Sequence, residues 1–352
     1  MSELYLAVDA GNTKTWAGLT TAGGELVGLA RGGVGDIYAP AGADAAKDVV
    51  VRLVEEALRA ADATASDVRH AAFRLAGVDW PEDEQFWIAA LAPLLGGTTF
   101  TVKNDGFALI RCGRLDGQGI SVVLGTGAAL AGRGPLKEWA LSWWIQHPLG
   151  GAGLVTEALR AVYVAELGLG EPTRLAEVLP PLFGASTPEA MLEATTRRGT
   201  PVTHSALAAH APSVLALADS DPVVADLVAT QAARIVDYIV SLAGTCGLPG
   251  AGERVSVVLG GGLVREPSAP LFTRLRELTD DHALDIDLCH NKEPALLGAL
   301  LDALAEGGAD PTEAVRSRLV QALTGTVADG DARGELAGAR VATAPTRDGA
   351  GA

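Results

Sequence analysis

Three apolar runs that each end in a small-residue loop constrain the fold of this chain more than any other feature. The loops are Asp9–Thr15, Leu124–Ala128 and Leu259–Gly262. Glycine lets a backbone approach a ligand closely and can turn successive N–H groups towards an anion. Taken alone, the second loop is typical of a hairpin turn and the third of a helix entry. The first holds more hydroxyl, amide and charged groups than a hairpin needs, and the three together favour a phosphate-binding site.

The strand pattern around the first two loops occurs twice in the chain. In each half, short turns join three apolar runs, which predicts an antiparallel meander. The repeated unit is a set of whole strands and turns rather than a short fixed period, which argues against a solenoid. The predicted strands are Leu4–Val8, Thr15–Thr20 and Glu25–Ala30 in the first half, and Ile120–Leu124, Ala128–Arg133 and Glu138–Trp143 in the second.

Helical spacing accounts for much of the remaining sequence. Apolar residues such as Val50, Leu53 and Ala57 recur at the period that predicts a helix over Ala41–Ala61. Prolines break residues 173–218 into several short helices, and residues 325–352 have so few large apolar side chains that we expect a disordered tail. The other predicted helices are Glu82–Leu95, Asp105–Cys112, Gly153–Glu166, Asp221–Ala243, Ala269–Leu278 and Ala295–Leu304, and the other strands are Ala71–Ala76, Thr98–Val102, Val255–Leu259 and Ala283–Leu288.

Charge and cysteine content exclude several classes of protein. The 352 residues carry 27 Lys and Arg against 43 Asp and Glu, a net charge of −16 that argues against a nucleic-acid binder. Cys112, Cys246 and Cys289 have neither metal-ligand nor redox spacing, which fits a reducing cytoplasm. Residues 1–9 lack the pattern of a signal peptide, and no apolar stretch reaches the roughly 18 residues of a membrane span. We expect a cytoplasmic protein without a membrane or nucleic-acid partner.

Two common nucleotide motifs are missing from the sequence. No segment matches the G-x-x-x-x-G-K-[ST] phosphate loop. Gly125-Thr126-Gly127 lacks the third glycine of the dinucleotide motif and precedes a predicted strand, where that motif requires a helix.

The loops instead resemble those of the actin/hexokinase (ASKHA) ATPase superfamily, and within it the N-acetylglucosamine kinase and BadF/BadG/BcrA/BcrD ATPase family. Three further segments carry the likeness, which spans roughly residues 3–306: Leu75–Asp79, Asn104–Gly106 and Pro294–Ala299. The resemblance implies an α/β fold of two ribonuclease-H-like domains with ATP and Mg²⁺ in the cleft between them. It places one domain at residues 1–117, joined by a helix at about 295–306, and the other at 118–294.

The family likeness also implies roles for the loop residues. Asp9 would hold Mg²⁺ through water, and Asp105 would be the catalytic base that accepts the proton of an attacking hydroxyl. Asp105 follows a predicted strand, and on sequence alone Asn104 or Asp105 equally suits a helix N-cap. The residues expected to bind the nucleotide are Asn12, Thr13, Lys14, Gly125, Thr126, Gly127, Gly260, Gly261 and Gly262.

The acceptor site follows the family less closely. Asp36, Gly77 and Asp79, together with Asp105, match the segments that border the sugar, although Asp36 replaces the more usual Asn. Where the family carries an acidic Gly-Asp-Glu-Gly-Ser stretch after the second meander, this chain has Trp143–Gly153, which contains no acidic residue. We expect Gln146 and His147 to replace some of the polar contacts. Losing buried hydrogen bonds to a substrate changes selectivity strongly. We therefore expect a kinase of a sugar, amino sugar or cyclitol with an altered acceptor, such as a C7-cyclitol of specialised metabolism.

Two other functions are compatible with the superfamily. One is an ATPase activator of a radical dehydratase, but its bridging cysteines should sit beside Gly125–Gly127, where this chain has none. The other is a non-catalytic regulator that binds sugar and ATP, for which no basic helix-turn-helix precedes Leu4. The family likeness also suggests a homodimer.

Overall fold

The computed structural model describes residues 3–198, 202–249 and 254–333, with side chains up to residue 324. The chain divides into two units. Unit 1 comprises residues 1–108 and 293–352, and unit 2 comprises residues 109–292. The expected boundaries were at 117/118 and 294/295, so residues 109–117 lie in the second unit rather than the first.

Unit 1 is built on a five-stranded mixed sheet. Its strand order is β3-β2-β1-β4-β5, in which β1–β3 form the antiparallel meander and β4 and β5 run parallel to β1. The strands are β1 Leu4–Ala10, β2 Thr15–Thr21, β3 Leu26–Gly32, β4 Val68–Leu75 and β5 Thr99–Asn104. The helices of the unit are α1 Ala43–Ala60, α2 Pro81–Leu95, α11 Ala295–Glu306 and α12 Glu313–Arg333.

The parallel strands of unit 1 end at the same edge of the sheet. In the strand register Ala10 pairs with Leu75, and Leu75 pairs with Asn104. Side chains that directly follow β1, β4 and β5 are therefore neighbours, as the open α/β fold requires of its ligand sites. The apolar core lies behind this edge and includes Leu6, Val8 and Phe73 from the sheet and Leu53 from α1.

A buried ion pair fixes α11 to the sheet. Arg74 of β4 is fully buried, and its guanidinium donates to Asp302 of α11 at 2.9 Å and to Glu306 at 2.7 Å. The pKa of Glu306 lies below its ordinary value, at about 2. Burial acts to raise it, but hydrogen bonds from His70 and Thr101 and the charge of Arg74 together outweigh burial. Helix α11 is thus held in unit 1 by charge as well as by apolar packing.

Unit 2 repeats the sheet architecture. Its strand order is β10-β9-β6-β7-β8, with β6–β8 as the antiparallel meander and β9 parallel to both β6 and β10. The strands are β6 Gly119–Leu124, β7 Ala128–Arg133, β8 Glu138–Ala140, β9 Val255–Gly260 and β10 Ile286–His290. The helices are α3 Ile110–Gly113, α4 Gly150–Glu166, α5 Leu175–Leu182, α6 Pro188–Thr196, α7 His204–Ala208, α8 Ala211–Leu215, α9 Pro222–Cys246 and α10 Pro270–Asp280.

Three elements differ from the sequence-based expectation. The strand expected over Glu138–Trp143 ends at Ala140, and Ser142–Trp144 form a 3-10 turn. The helix expected from Asp105 begins as a 3-10 turn over Asp105–Leu109. Residues 325–333 of the expected disordered tail belong to α12, and residues 334–352 lie outside the described part of the chain. No described helix combines the length and hydropathy that a membrane span requires.

Candidate active site

Asp105 begins the turn that directly follows β5. Asn104 Oδ1 accepts a hydrogen bond from Gly106 N–H at 2.8 Å, so Asn104 caps this turn. The pKa of Asp105 is raised to about 7. Burial is the largest cause, and the negative charges of Asp9, Asp79 and Asp36 add to it. A carboxylate with a pKa near neutrality suits a general base.

Asp9 lies near the end of β1, which is separated from β5 by the single strand β4. Its pKa is also raised to about 7, because burial disfavours the ionised form more than the charge of Lys14 favours it. A divalent cation would offset this burial cost. No three His, Cys, Asp or Glu side chains in the described ranges converge on a metal position. Mg²⁺ held here would therefore rely on Asp9 together with water and phosphate oxygens, which is its usual preference.

The loop after β1 offers backbone donors beside Asp9. Gly11 N–H donates to Lys14 O at 3.0 Å, which closes the loop, and Gly35 N–H ties the next loop to Gly11 O at 3.2 Å. The side chains of Asn12, Thr13 and Lys14 are exposed, and no described group accepts from their backbone N–H groups. This loop can therefore present donors and one cation to a phosphate.

The loop after β6 has the same character in unit 2. Gly125 N–H donates to Gly127 O at 3.0 Å, and the first turn of α4 donates to Gly125 O at 2.8 Å and to Thr126 O at 2.9 Å. The N–H groups of Thr126 and Gly127 have no acceptor in the described residues. A Cβ built on Gly125 or Gly127 would meet no atom within 4 Å, so there is open space where a phosphate would need it.

The third glycine loop follows β9, the strand beside β6. Gly260 pairs with Val123 in the parallel register, which brings the two loops of unit 2 to one sheet edge. Gly261 has φ +98°, and a Cβ there would lie 2.4 Å from Leu124 O. Only glycine fits that position without strain. Gly262 is exposed with open space around it, so it can border a ligand.

Asp36 and Asp79, two of the expected acceptor residues of unit 1, belong to one hydrogen-bonded network. The network also contains two residues that the sequence did not predict. Asp36 Oδ1 accepts from Tyr38 N–H at 2.8 Å, and Asp79 Oδ1 accepts from Asn104 Nδ2 at 2.8 Å. The missed residues are Tyr38 and Asp83. Asp83 accepts from Tyr38 Oη at 3.0 Å and from the backbone N–H of Asp79 at 3.1 Å.

The missed residues carry a weak signal in the sequence. Asp83 is the third residue of α2, where an acid commonly accepts from the N–H groups that precede a helix. Tyr38 has no such signal, because its partner is far away in sequence. Burial and the hydrogen bond to Asp83 raise the pKa of Tyr38 to about 12, so it donates over the whole neutral range.

Gln146 and His147 lie in unit 2 and contact helix α9. Gln146 N–H donates to Tyr238 Oη at 3.0 Å, and His147 Nδ1 lies 3.0 Å from the same oxygen. Gln146 Nε2 donates to Trp143 O at 2.7 Å. Both residues are exposed and polar, yet their described partners are protein groups. Their role in acceptor binding remains a prediction.

The glycine-rich start of α4 has little room for side chains at Gly151 and Gly153. A Cβ on Gly151 would lie 3.1 Å from Ala208 Cβ of α7 and 3.2 Å from Gly125 O. A Cβ on Gly153 would lie 2.4 Å from the carbonyl carbon of Pro148. A larger residue at either position would therefore require the neighbouring atoms to shift.

Two crystal structures share this architecture. One, from Chromobacterium violaceum and provisionally designated an N-acetylglucosamine kinase, is 23% identical, with a TM-score of 0.63 over 86% of this chain and 99% of that one. The other, from Porphyromonas gingivalis and designated in the same way, is 18% identical, with a TM-score of 0.60 over 86% of this chain and 99% of that one.

These likenesses confirm the predicted fold, in which each unit carries one five-stranded sheet of the actin-like ATPase type. No family model matches the chain, and no curated protein matches its sequence.

Proposed function

We propose that the protein is an ATP-dependent kinase that transfers the γ-phosphate to a hydroxyl of a sugar or a sugar-like ring. The observation that carries the proposal is the position of Asp105, at the end of β5 in the same carboxylate cluster as Asp9. Phosphoryl transfer needs a base, a metal and oriented donors rather than covalent chemistry. The proposed base Asp105, the proposed metal-binding carboxylate Asp9 and the loop of backbone donors after β1 all lie at one edge of the unit 1 sheet.

The glycine loops would supply nucleotide contacts in each unit. In unit 1 the N–H groups of Asn12–Lys14 would donate to phosphate oxygens. In unit 2 the N–H groups of Thr126 and Gly127 would do the same, and Gly260–Gly262 would border the adenosine. When bound, Mg²⁺ would neutralise phosphate charge beside Asp9. The Asp105 carboxylate would accept the proton of the attacking hydroxyl, while Asp79, Asp36 and Gly77 would orient the acceptor ring.

A sugar acceptor is the best-supported form of this proposal, since two of the similar crystal structures are provisionally designated N-acetylglucosamine kinases. These structures give no separate support for a cyclitol acceptor, so cyclitols are included among the acceptors that the assay compares. The radical-dehydratase alternative is disfavoured, because Cys112 and Cys246 are buried and none of the three cysteines lies in the Gly125–Gly127 loop. The homodimer and the cytoplasmic location remain predictions.

The proposal is tested by an ATP-consumption screen over hexoses, amino sugars, N-acetyl sugars and cyclitols, with product mass measured for each hit. An increase in ADP that depends on both acceptor and Mg²⁺, with a product heavier by one phosphoryl group, supports it. ATP turnover that no acceptor stimulates would favour the regulator instead.

A further inference from the structure

Asp36 is a buried carboxylate whose hydrogen bonding is incomplete. Its residue is 8% exposed, and its side chain accepts a single hydrogen bond, from Tyr38 N–H to Oδ1. No described group donates to Oδ2. Burying an ionised carboxylate is costly unless it is paired with a cation or with several donors. A positively charged group bound next to Asp36 would therefore be stabilising.

The nearby cations of unit 1 are engaged by other residues. Arg74 pairs with Asp302 at 2.8 Å, Lys103 lies 3.8 Å from Glu306, and Arg31 stacks over the Trp16 ring at 5.2 Å. Lys14 exerts its charge on Asp9. Within the described ranges no Lys, Arg or His side chain lies within ion-pair distance of Asp36.

The remaining environment of Asp36 points towards the acceptor rather than a metal ion. Its Oδ1 lies 2.6 Å from where a Cβ on Gly77 would be, so only glycine fits beside this carboxylate without a shift. The charges of Asp36, Asp79 and Asp9 all act on Asp105. The acidic side chains do not converge on a single metal position in the described residues. A cationic group carried by a larger molecule therefore suits Asp36 better than a bare metal ion.

We propose that Asp36 binds an ammonium group of the acceptor, so that the substrate class is a hydroxylated ring bearing a free amine. The inference rests on the proposed kinase function and narrows it to amino sugars and aminocyclitols over their neutral or N-acetylated counterparts. The bound amine would supply the counter-charge that Asp36 lacks, and the ring hydroxyls would reach Asp79 and Asp105.

The test uses acceptors that differ only in the amine. D-Glucosamine is compared with D-glucose and N-acetyl-D-glucosamine, and streptamine with scyllo-inositol, by kcat/KM in a coupled ATP assay. We expect the aminated member to exceed its neutral partners by at least about tenfold, the effect of one buried charge-assisted contact. Asp36→Asn should lower kcat/KM for the amine by about 10–100-fold more than it lowers kcat/KM for the neutral acceptors, whose ring Asp36 also helps to orient. Asp48→Asn, which removes the same charge from the exposed face of α1, should change neither.

A direct binding measurement separates this inference from the kinase proposal. Calorimetry without nucleotide should show heat for the amine and not for its neutral partner, and Asp36→Asn should remove the difference. Equal kcat/KM for the amine and neutral members, or an equal loss for both in Asp36→Asn, would overturn the inference and leave the kinase proposal standing. Amine-selective binding that needs Asp36, without any turnover, would support the inference and count against the kinase.

Discussion

Asn104 joins Asp79 to the turn that carries Asp105. Its side-chain amide donates to Asp79 Oδ1 at 2.8 Å, and its oxygen accepts from Gly106 N–H at 2.8 Å. One uncharged residue at the end of β5 thus orients both the proposed acceptor carboxylate and the proposed base. Asn104 itself is a positioning residue.

Replacing Asn104 should impair turnover more than folding. In Asn104→Ala both hydrogen bonds are lost, so we expect kcat to fall by about 10–100-fold through misplacement of Asp105. The melting temperature should fall by only a few degrees, and the Kd for ATP should stay within about threefold. Gln118→Ala, which truncates an exposed amide of unit 2, serves as the control. A variant with unchanged kcat would show that the bridge does not position the base.

The pH dependence of phosphoryl transfer should reflect the carboxylate cluster. Asp105 acts in its ionised form, and its pKa is raised to about 7, as is that of Asp9. Because the two charges interact, they titrate as a pair. The rate at saturating ATP should therefore be low below pH 6 and rise through about pH 7 to a plateau. A rate that is flat between pH 5 and 9 would contradict the assignment.

Removing one neighbouring charge should move this profile in a defined direction. The Asp79 carboxylate helps to raise the pKa of Asp105, so Asp79→Asn should shift the inflection of the residual activity to lower pH. Glu84→Gln removes an exposed charge from α2 and should leave the inflection in place. An inflection that stays in place in Asp79→Asn would mean that the Asp79 charge does not contribute to the pKa of Asp105.

A pair of glycine substitutions separates a binding role from a folding role. Gly125→Ala places a methyl in open space, so we expect an unchanged melting temperature and a KM for ATP raised by about tenfold or more. Gly244→Ala places the same methyl on the exposed face of α9 and should leave that KM unchanged, with stability raised by up to about 1 kcal/mol. Equal KM values for both variants would remove Gly125 from the nucleotide site.

The ion pair under α11 predicts a specific stability pattern. Asp302→Asn leaves the Arg74 guanidinium partly unpaired in the interior, so the free energy of unfolding should fall by about 3–5 kcal/mol. The triple change Arg74→Met, Asp302→Leu and Glu306→Gln should cost far less, because it removes all three charges of this ion-pair cluster together. Urea denaturation of the full chain measures both, and an equal loss in the two variants would argue against this account.

The sequence predicts the periodic parts of this protein well. The two meanders, the helices at Ala43–Ala60 and Pro222–Cys246, and the strand-end loops follow from local apolar spacing and glycine placement. These features depend on neighbours in the chain, which is why a single sequence reveals them.

The sequence fails where long-range contacts decide. The strand at Glu138–Ala140 ends early because Trp143 and Trp144 enter a 3-10 turn rather than the sheet edge. The Tyr38–Asp83 hydrogen bond joins residues 45 apart, and no local pattern marks it. The same holds for Gly151, whose lack of room is set by Ala208 of a separate helix.

The most direct test of the central claim is the rate of acceptor phosphorylation by Asp105→Asn, with ATP affinity measured on the same preparation. The amide keeps the size of the side chain but cannot accept the proton of the attacking hydroxyl. We predict that the rate falls by about 10²–10⁴-fold while the Kd for Mg·ATP changes less than about threefold. Turnover at the wild-type rate would contradict the assignment of Asp105 as the base, and with it the proposed mechanism.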